Sequence, residues 1–562
     1  MSNRRSFLVV CALLLLVAFA FRFAVARYLP NDTPDDGKIY AQMARNVLEQ
    51  HVFSHAAEPP YDPSLIRLPG YPLFLAGVYS LFGHTNNGAV RITQAVIDTT
   101  ACVLIALLAY YWEPDQERKR WAAVTALAFA AVCPFSAIYT ATILTETPTI
   151  FLALAMCLTA TLAFNSATSK RTILLWFTTG IIAGIAVLFR PDSGLFAAAI
   201  GLTLVGDTLR LAQPRADGES SGVRPKLVKA ILLGVIFSAG FCLLLTPWTI
   251  RNRRVFHVFQ PLAPAHAEMP GEFVPRGYLA WLRTWIEDQR YIGPVLWNLE
   301  QTRISIDELP DTAFDSKQEK DQVAALLERY NHPPQAQSDT PSIPEATPVP
   351  TPDETNPQSG QSHEANPSED ESAQAEDESG GDEPESDATT EQDQVEDAQP
   401  VAMTPEIDAA FASIAHERIA RSPIRYYLSL PFKRAVSLWF DTHSQYYPFE
   451  GELLPFEDLD YDIHQQIWLP LFTGLTWIYT LFGVAGAWLL WRTGDFAARR
   501  WVVLVGLIII LRVGFFSSLE NPEPRYVVEI FPFLAVLAGI ALGRLVSLIK
   551  TALAHQGIIV VQ

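Results

Sequence analysis

FLVVCALLLLVAFAFRFAVARY (7–28), followed by LPNDTPDDGKIYAQMARNVLEQ (29–50), decides the fold. The first stretch carries only Arg22 and Arg27 as charges. A hydrocarbon layer of about 30 Å takes about 20 helical residues at 1.5 Å each. Backbone polar groups in lipid must bond within their own segment, so the stretch is a helix. MSNRR ahead of it and Ala24-Val25-Ala26 behind it also fit a cleaved signal peptide. The run Phe7–Phe21 already fills the apolar length of such a leader, and apolar character resumes past Arg22 to Tyr28. It reads as a retained first span.

Working outward, the same pattern recurs. Spans are expected at about 7–28, 89–111, 121–139, 147–165, 172–189, 193–210, 227–249, 467–491, 501–517 and 527–548. The apolar run YPLFLAGVYSLF (71–82) is too short to cross and reads as a re-entrant or surface helix. The fold class is therefore an all-α polytopic membrane protein of about ten transmembrane helices. MSNRR, 113–120, 165–171, 210–229 and 492–500 are basic, and the positive-inside rule puts them in the cytoplasm. The alternate loops then face outward: 30–88, Thr145-Glu146, Arg190-Pro191-Asp192, 250–466 and Asn521–Arg525. The expected location is the plasma (inner) membrane of a bacterium, with the polar sites on the outer side.

The chain divides into a transmembrane core with a long first outer loop (1–249, loop 30–88), an outer segment (250–330), an acidic insert (331–402), a second outer segment (403–466) and C-terminal spans (467–562). Of the 562 residues, 49% are hydrophobic, mean hydropathy is +0.16 and net charge is −19. The 19 acidic residues of 331–402, unaccompanied by Lys or Arg, account for that charge, since the remainder holds 41 acids against 41 bases. The insert has no Phe, Tyr or Trp and is expected to be disordered. In 250–330, Trp281, Trp285 and Trp297 suggest partial folding. Ile424–Phe440, with Arg425, Lys433 and Arg434, has the make-up of an interfacial helix. No basic patch with interleaved aromatics is present, so a nucleic-acid partner is not expected. The five cysteines lie in apolar runs without disulfide or metal spacing, and the eleven histidines show no metal spacing.

After Asp36, the residues Tyr40, Met43, Ala44, Val47 and Leu48 form one apolar helix face. That helix is expected to lie on the membrane with Asp36 near its N-terminus. Asp36 reads equally as a helix cap or, beside Asp35 at a membrane surface, as a catalytic carboxylate. Arg67, in IRLPGYP (66–72), suits either a lipid headgroup or bidentate grip on a phosphate. Glu146 in LTETPTIF opens a span with Pro148 in its first turn. Arg190 before Pro191 and Arg251 after TPWTI sit at span ends, where anchoring is the simple explanation. Arg525-Tyr526 opens the last span. Arg22 and Arg512 fall inside apolar runs, where charges are costly and face a bundle interior. They read as internal ion pairs, or as the feature favouring a transporter or lipid flippase. A membrane scaffold recruiting partners through the acidic insert is a third class.

Taken in order, these pieces resemble the GT-C membrane glycosyltransferases, in the branch of protein O-mannosyltransferases and the lipid A aminoarabinose transferase. The residues carrying the resemblance are Asp36 four before Tyr40, Arg67-Leu-Pro-Gly-Tyr71-Pro, Glu146 in TETPTIF, Arg190-Pro191, the Pro247–Asn252 run and Arg525-Tyr526. Ile39 and Ile66 stand where the family often has a basic and an acidic residue. The resemblance implies transfer of a hexosyl or pentosyl group from a polyprenyl-phosphate donor to a protein, glycan or lipid acceptor outside the membrane, with inversion. It implies Asp36, Asp35 and Glu146 as catalytic residues and Arg67, Arg525 and Arg251 as ligands of the donor phosphate. It further implies Tyr40, Tyr71 and Arg190 as substrate-binding residues and a possible divalent cation (Mg or Mn) at Asp36 and Glu146.

Overall fold

A computed structural model describes residues 4–31, 35–211, 223–333, 401–454 and 463–555. The disorder expected of the acidic insert falls almost wholly outside these residues. The described chain is helical, and its single β-bridge joins Asn31 to Thr142. In chain order the helices are α1 (Arg4–Tyr28), α2 (Asp35–Glu49), α3 (Gly70–Phe82), α4 (Asn87–Trp112), α5 (Lys119–Ala131), α6 (Pro134–Ala137), α7 (Glu146–Phe164), α8 (Ser169–Phe189) and α9 (Gly194–Leu211). They continue as α10 (Val223–Phe256), α11 (Arg276–Leu282), α12 (Lys317–Asn331), α13 (Pro405–Arg421), α14 (Leu430–Phe440), α15 (Ile463–Thr493), α16 (Phe496–Ser517) and α17 (Phe531–His555).

Among the described residues eight helices are long and apolar enough to cross a membrane: α1, α4, α7, α8, α10, α15, α16, and α17 with the 3-10 turn before it. Lys119–Ala131 and Pro134–Thr140, bent by 53°, make a ninth if they count as one span. The tenth expected span falls on α9, whose described side chains end at Thr208. The chain is an all-α integral membrane protein.

Small residues let the central helices approach closely. Gly539 and Gly543 of α17 face Ala126 and Ala122 of α5. A Cβ on Gly539 would lie 2.3 Å from the Ala126 Cβ. On another side of α17, the Leu537 carbonyl would be 1.9 Å from a Cβ on Gly486 of α15. In lipid no hydrophobic drive pulls helices together, so this close van der Waals packing carries the association.

The break between α5 and α6 has its own partners. Helix ends leave carbonyls without internal bonds. Arg22 of α1 donates to the freed carbonyls of Ala130 and Ala131, each at 3.0 Å, and its Nε meets Asp98 of α4 at 2.6 Å. The irregular stretch after α6 is served likewise from α4. Arg91 donates to the Ala141 carbonyl, and Gln94 to those of Tyr139, Thr140 and Thr142. Non-helical backbone at membrane depth survives only where protein satisfies it. Arg22 thus serves as an internal ion pair, the simpler of its two readings.

Outside the bundle, the two segments flanking the acidic insert share one core. Tyr278, Trp281 and Trp285 pack with Leu327 and Tyr330 of α12 and with Ile407 and Phe411 of α13. Trp297 is half exposed. Buried Arg434 of α14 ties this unit to the bundle, donating to the carbonyls of Arg283, Ile286 and Ser517. The expected interfacial stretch leaves Ile424, Tyr427, Leu428 and Phe432 exposed.

The apolar face of α2 corrects an expectation. It is covered by protein: Ala44, with Tyr40, Val47 and Leu48 beside it, packs against Tyr71, Leu75 and Tyr79 of α3. A short apolar helix from the same loop supplies the cover that a membrane surface was expected to supply.

Candidate active site

The spans alternate in direction, so the C-terminal ends of α1, α8 and α16 and the N-terminal ends of α4, α7, α9 and α17 meet at one pole. There the packing of α2 on α3 sets Asp36 in the first turn of α2, and the chain reaches Arg67 just before α3. The Arg67 Nη2 donates to the Asp36 Oδ1 at 2.7 Å. The Arg525 Nη2, from the 3-10 turn Pro524–Ile530, lies 3.8 Å from the Asp36 Oδ2. Burial raises the pKa of the Asp36 carboxyl, but Arg67, Arg525 and Arg190 outweigh it and hold the group below its usual range. The same desolvation, together with the Asp36 charge, pushes the Tyr40 phenol up to about 12. Tyr40 sits edge-on to Tyr71, ring centroids 5.1 Å apart, and the Tyr71 hydroxyl donates to Gln94 at 2.8 Å.

Glu146 is the first residue of α7, where the positive end of the helix dipole favours a carboxylate. It is 2% exposed, and Arg190 donates to its Oε1 at 2.7 Å. Arg190 ends α8 because a helix rarely runs into a proline, here Pro191. Its Nε meets Asp192 at 2.9 Å and its Nη1 lies 3.8 Å from Glu529. Arg512 of α16 closes the network against Asp192, at 2.8 Å, and against Glu529. Three carboxylates therefore face two guanidiniums, and the Oε2 of Glu146 has no hydrogen-bond partner among the described residues.

Arg525 is held by residues that sequence reasoning missed. Its Nε lies 2.5 Å from the Glu523 carboxylate and its Nη1 donates to the Tyr446 hydroxyl at 2.9 Å. Glu523 also accepts from Asn521 and from Tyr526, each at 2.7 Å. No local signal marks Tyr446, whose partner Arg525 lies 79 residues away, or Glu529, which faces Arg190 and Arg512. Only the Glu-Pro-Arg-Tyr run offered a hint for Glu523.

Two expected site residues stand differently. Arg251 spends its guanidinium on the first outer loop, donating to the Ser64 carbonyl at 2.7 Å and to that of Phe53 at 3.5 Å. It also lies 5.0 Å from the Trp248 ring. It braces that loop, and no described contact joins it to the Asp36 group. Asp35 begins α2, and its side chain lies outside the described residues. For a divalent cation, no group of three or more His, Cys, Asp or Glu able to hold one occurs among the described residues. Asp36 and Glu146 are each already paired with arginine, so this donor set does not fit the expected metal. Arg512, like Arg22, is consumed by internal pairing, which removes the two features that favoured a transporter.

Residues 62–216 match the family model described as dolichyl-phosphate-mannose-protein mannosyltransferase. The resemblance read from the sequence is borne out over that stretch, which contains Arg67, Tyr71, Glu146 and Arg190. Among solved structures, the chain is similar to the oligosaccharyltransferase AglB from Archaeoglobus fulgidus in complex with an inhibitory peptide and a dolichol-phosphate. The identity is 13% and the TM-score 0.45, over 98% of this chain and 52% of that one. It is also similar to ArnT from Cupriavidus metallidurans bound to undecaprenyl phosphate. There the identity is 13% and the TM-score 0.36, over 99% of this chain and 80% of that one. The chain thus spans about half the length of the archaeal enzyme. No curated protein matches it.

Proposed function

We propose that the protein is a membrane glycosyltransferase that moves a sugar from a polyprenyl-phosphate donor to an acceptor on the outer face of a bacterial inner membrane. The observation that carries this reading is the Asp36 carboxylate between Arg67, at 2.7 Å, and Arg525, at 3.8 Å, at one pole of the bundle. The basic loops at the opposite pole support the outward assignment. The match of residues 62–216 to a mannosyltransferase family supports the reaction class.

The resting pair already contains the chemistry of the bound state. A carboxylate and a phosphate oxygen offer a guanidinium the same kind of acceptor. As the donor enters, its phosphate takes over Arg67 and Arg525 and the Asp36 carboxylate loses its cations. A phosphate nearby adds negative charge, which raises the Asp36 pKa further. Donor binding therefore turns a weak base into a stronger one. Asp36 takes the proton from an acceptor hydroxyl, whose oxygen bonds to the anomeric carbon. The bond from that carbon to the phosphate oxygen breaks, and polyprenyl phosphate leaves. Direct displacement inverts the centre. Arg67 and Arg525 stabilise charge on the leaving phosphate. Glu146, whose Oε2 has no hydrogen-bond partner among the described residues, orients the acceptor in this reading. If the acceptor is itself a phosphate, Asp36 orients it instead.

The test is release of polyprenyl phosphate from a lipid-linked hexose in vesicles holding the purified protein. Asp36→Asn should lower kcat by about 10²–10⁴ with donor binding retained. Undiminished turnover by a folded variant would remove Asp36 as the base.

A further inference from the structure

The loop 441–451 leaves the outer unit and enters the bundle. Thr442 and Ser444 close it on the Gly451 carbonyl, at 2.6 and 3.3 Å. His443 sits edge-on to Phe135 and Phe531, with ring centroids 5.5 and 4.8 Å away. Burial drives its pKa down to about 4, so it packs there as a neutral ring. Tyr447 donates to the Pro134 carbonyl at 3.0 Å, at the break between α5 and α6. Between these anchors Tyr446 adopts φ 71°, a conformation that bulky residues seldom accept. Strain of this kind persists where the surroundings over-determine it, and it gathers at functional sites. The turn packs the Tyr446 ring against Tyr139, 5.9 Å between centroids, and brings its hydroxyl to Arg525.

Three sides of the Arg525 guanidinium are thereby defined: Glu523 at Nε, the Tyr446 hydroxyl at Nη1, and Asp36 beyond Nη2. Glu523 holds the Nε–Nη2 edge, its Oε1 also accepting from Nη2 at 3.4 Å, and the Tyr446 hydroxyl holds the remaining nitrogen, Nη1. We propose that Tyr446 is a positioning residue: its hydroxyl sets the fork of Arg525 toward the place where the donor phosphate lies. This rests on the reading of the site as one for a lipid-linked phosphate. It makes the loop after α14, which packs on the bundle core, part of that site. The phenol stays protonated because burial raises its pKa beyond what Arg525 lowers, so it accepts from Arg525 without adding charge.

Farnesyl phosphate serves as the probe, its binding to the full-length protein in vesicles followed by tryptophan fluorescence. Tyr446→Phe keeps the ring and removes the hydroxyl. A hydrogen bond to a charged group accounts for about tenfold in affinity, so Tyr446→Phe should bind about tenfold more weakly at an unchanged melting temperature. Arg525→Gln should bind more weakly still, and the double variant no more weakly than Arg525→Gln alone, because the hydroxyl acts only through the arginine. In transfer assays Tyr446→Phe should raise KM for the donor more than it lowers kcat. Wild-type affinity in folded Tyr446→Phe, or fully additive losses in the double variant, would overturn the positioning role. A folded wild-type protein that fails to bind farnesyl phosphate would overturn the phosphate site itself, and this proposal with it.

Discussion

The Ala402 amide donates to the Tyr330 carbonyl at 3.2 Å, although residues 331–401 lie between them in the chain. The acidic insert leaves and re-enters one folded unit at a single point, and the core formed by α11, α12 and α13 is built from both sides of it. Replacing 334–400 with a short Gly/Ser linker should leave the melting temperature within a few degrees of wild type. Closure entropy changes by only about 0.6 kcal/mol for each halving of a loop. Sugar transfer should also persist. Thermal unfolding of the solubilised protein and the vesicle assay check both, and loss of activity in a folded variant would favour the scaffold reading.

Asp36 should show two different acid limbs. A base works only when deprotonated, so activity falls as pH drops through its pKa. The profile of kcat/KM reports the free enzyme, where the arginines hold Asp36 below its ordinary value of 3.8. The profile of kcat reports the donor complex, where the phosphate has taken those arginines, so its limb should lie at higher pH. Arg67→Ala should raise the kcat/KM limb toward the ordinary carboxylate range and weaken donor use by about 10–100-fold. Coincident limbs in the wild type would contradict the exchange of partners.

Gly539 tests the packing of α17. With Ala126 2.3 Å from the Cβ that a substitution would add, Gly539→Ala should cost about 1–3 kcal/mol through overpacking. Gly506→Ala on α16, which meets nothing within 4 Å, should be neutral or slightly stabilising. Thermal unfolding in one detergent compares the two, and equal effects would argue against close approach at Gly539.

Arg22 and Asp98 are 1% and 2% exposed. Arg22→Met leaves a buried carboxylate without its cation and should cost about 3–5 kcal/mol, whereas the double variant Arg22→Met/Asp98→Leu should recover much of that. The carbonyls of Ala130 and Ala131 would still lack their donor, so recovery should be incomplete. Urea or thermal unfolding gives the comparison. Full recovery would show that the helix break does not need Arg22.

The sequence by itself determined that the chain is an all-α membrane protein with many apolar spans. That rests on one-dimensional properties: a hydrocarbon layer demands a certain apolar length, and each segment must satisfy its own backbone. Asp36, Arg67, Glu146, Arg190 and Arg525 were nominated by residue order through the family resemblance. Only the tertiary structure decided who pairs with whom. Arg512 meets Glu529 and Asp192 across three elements, Arg251 turns to the loop carbonyls of Ser64 and Phe53, and α2 packs on α3. Tyr446 reaches Arg525 from a loop 79 residues earlier in the chain. The reason is physical: a buried charge draws its stability from whichever partner the packing delivers, and no local pattern encodes a partner hundreds of residues away.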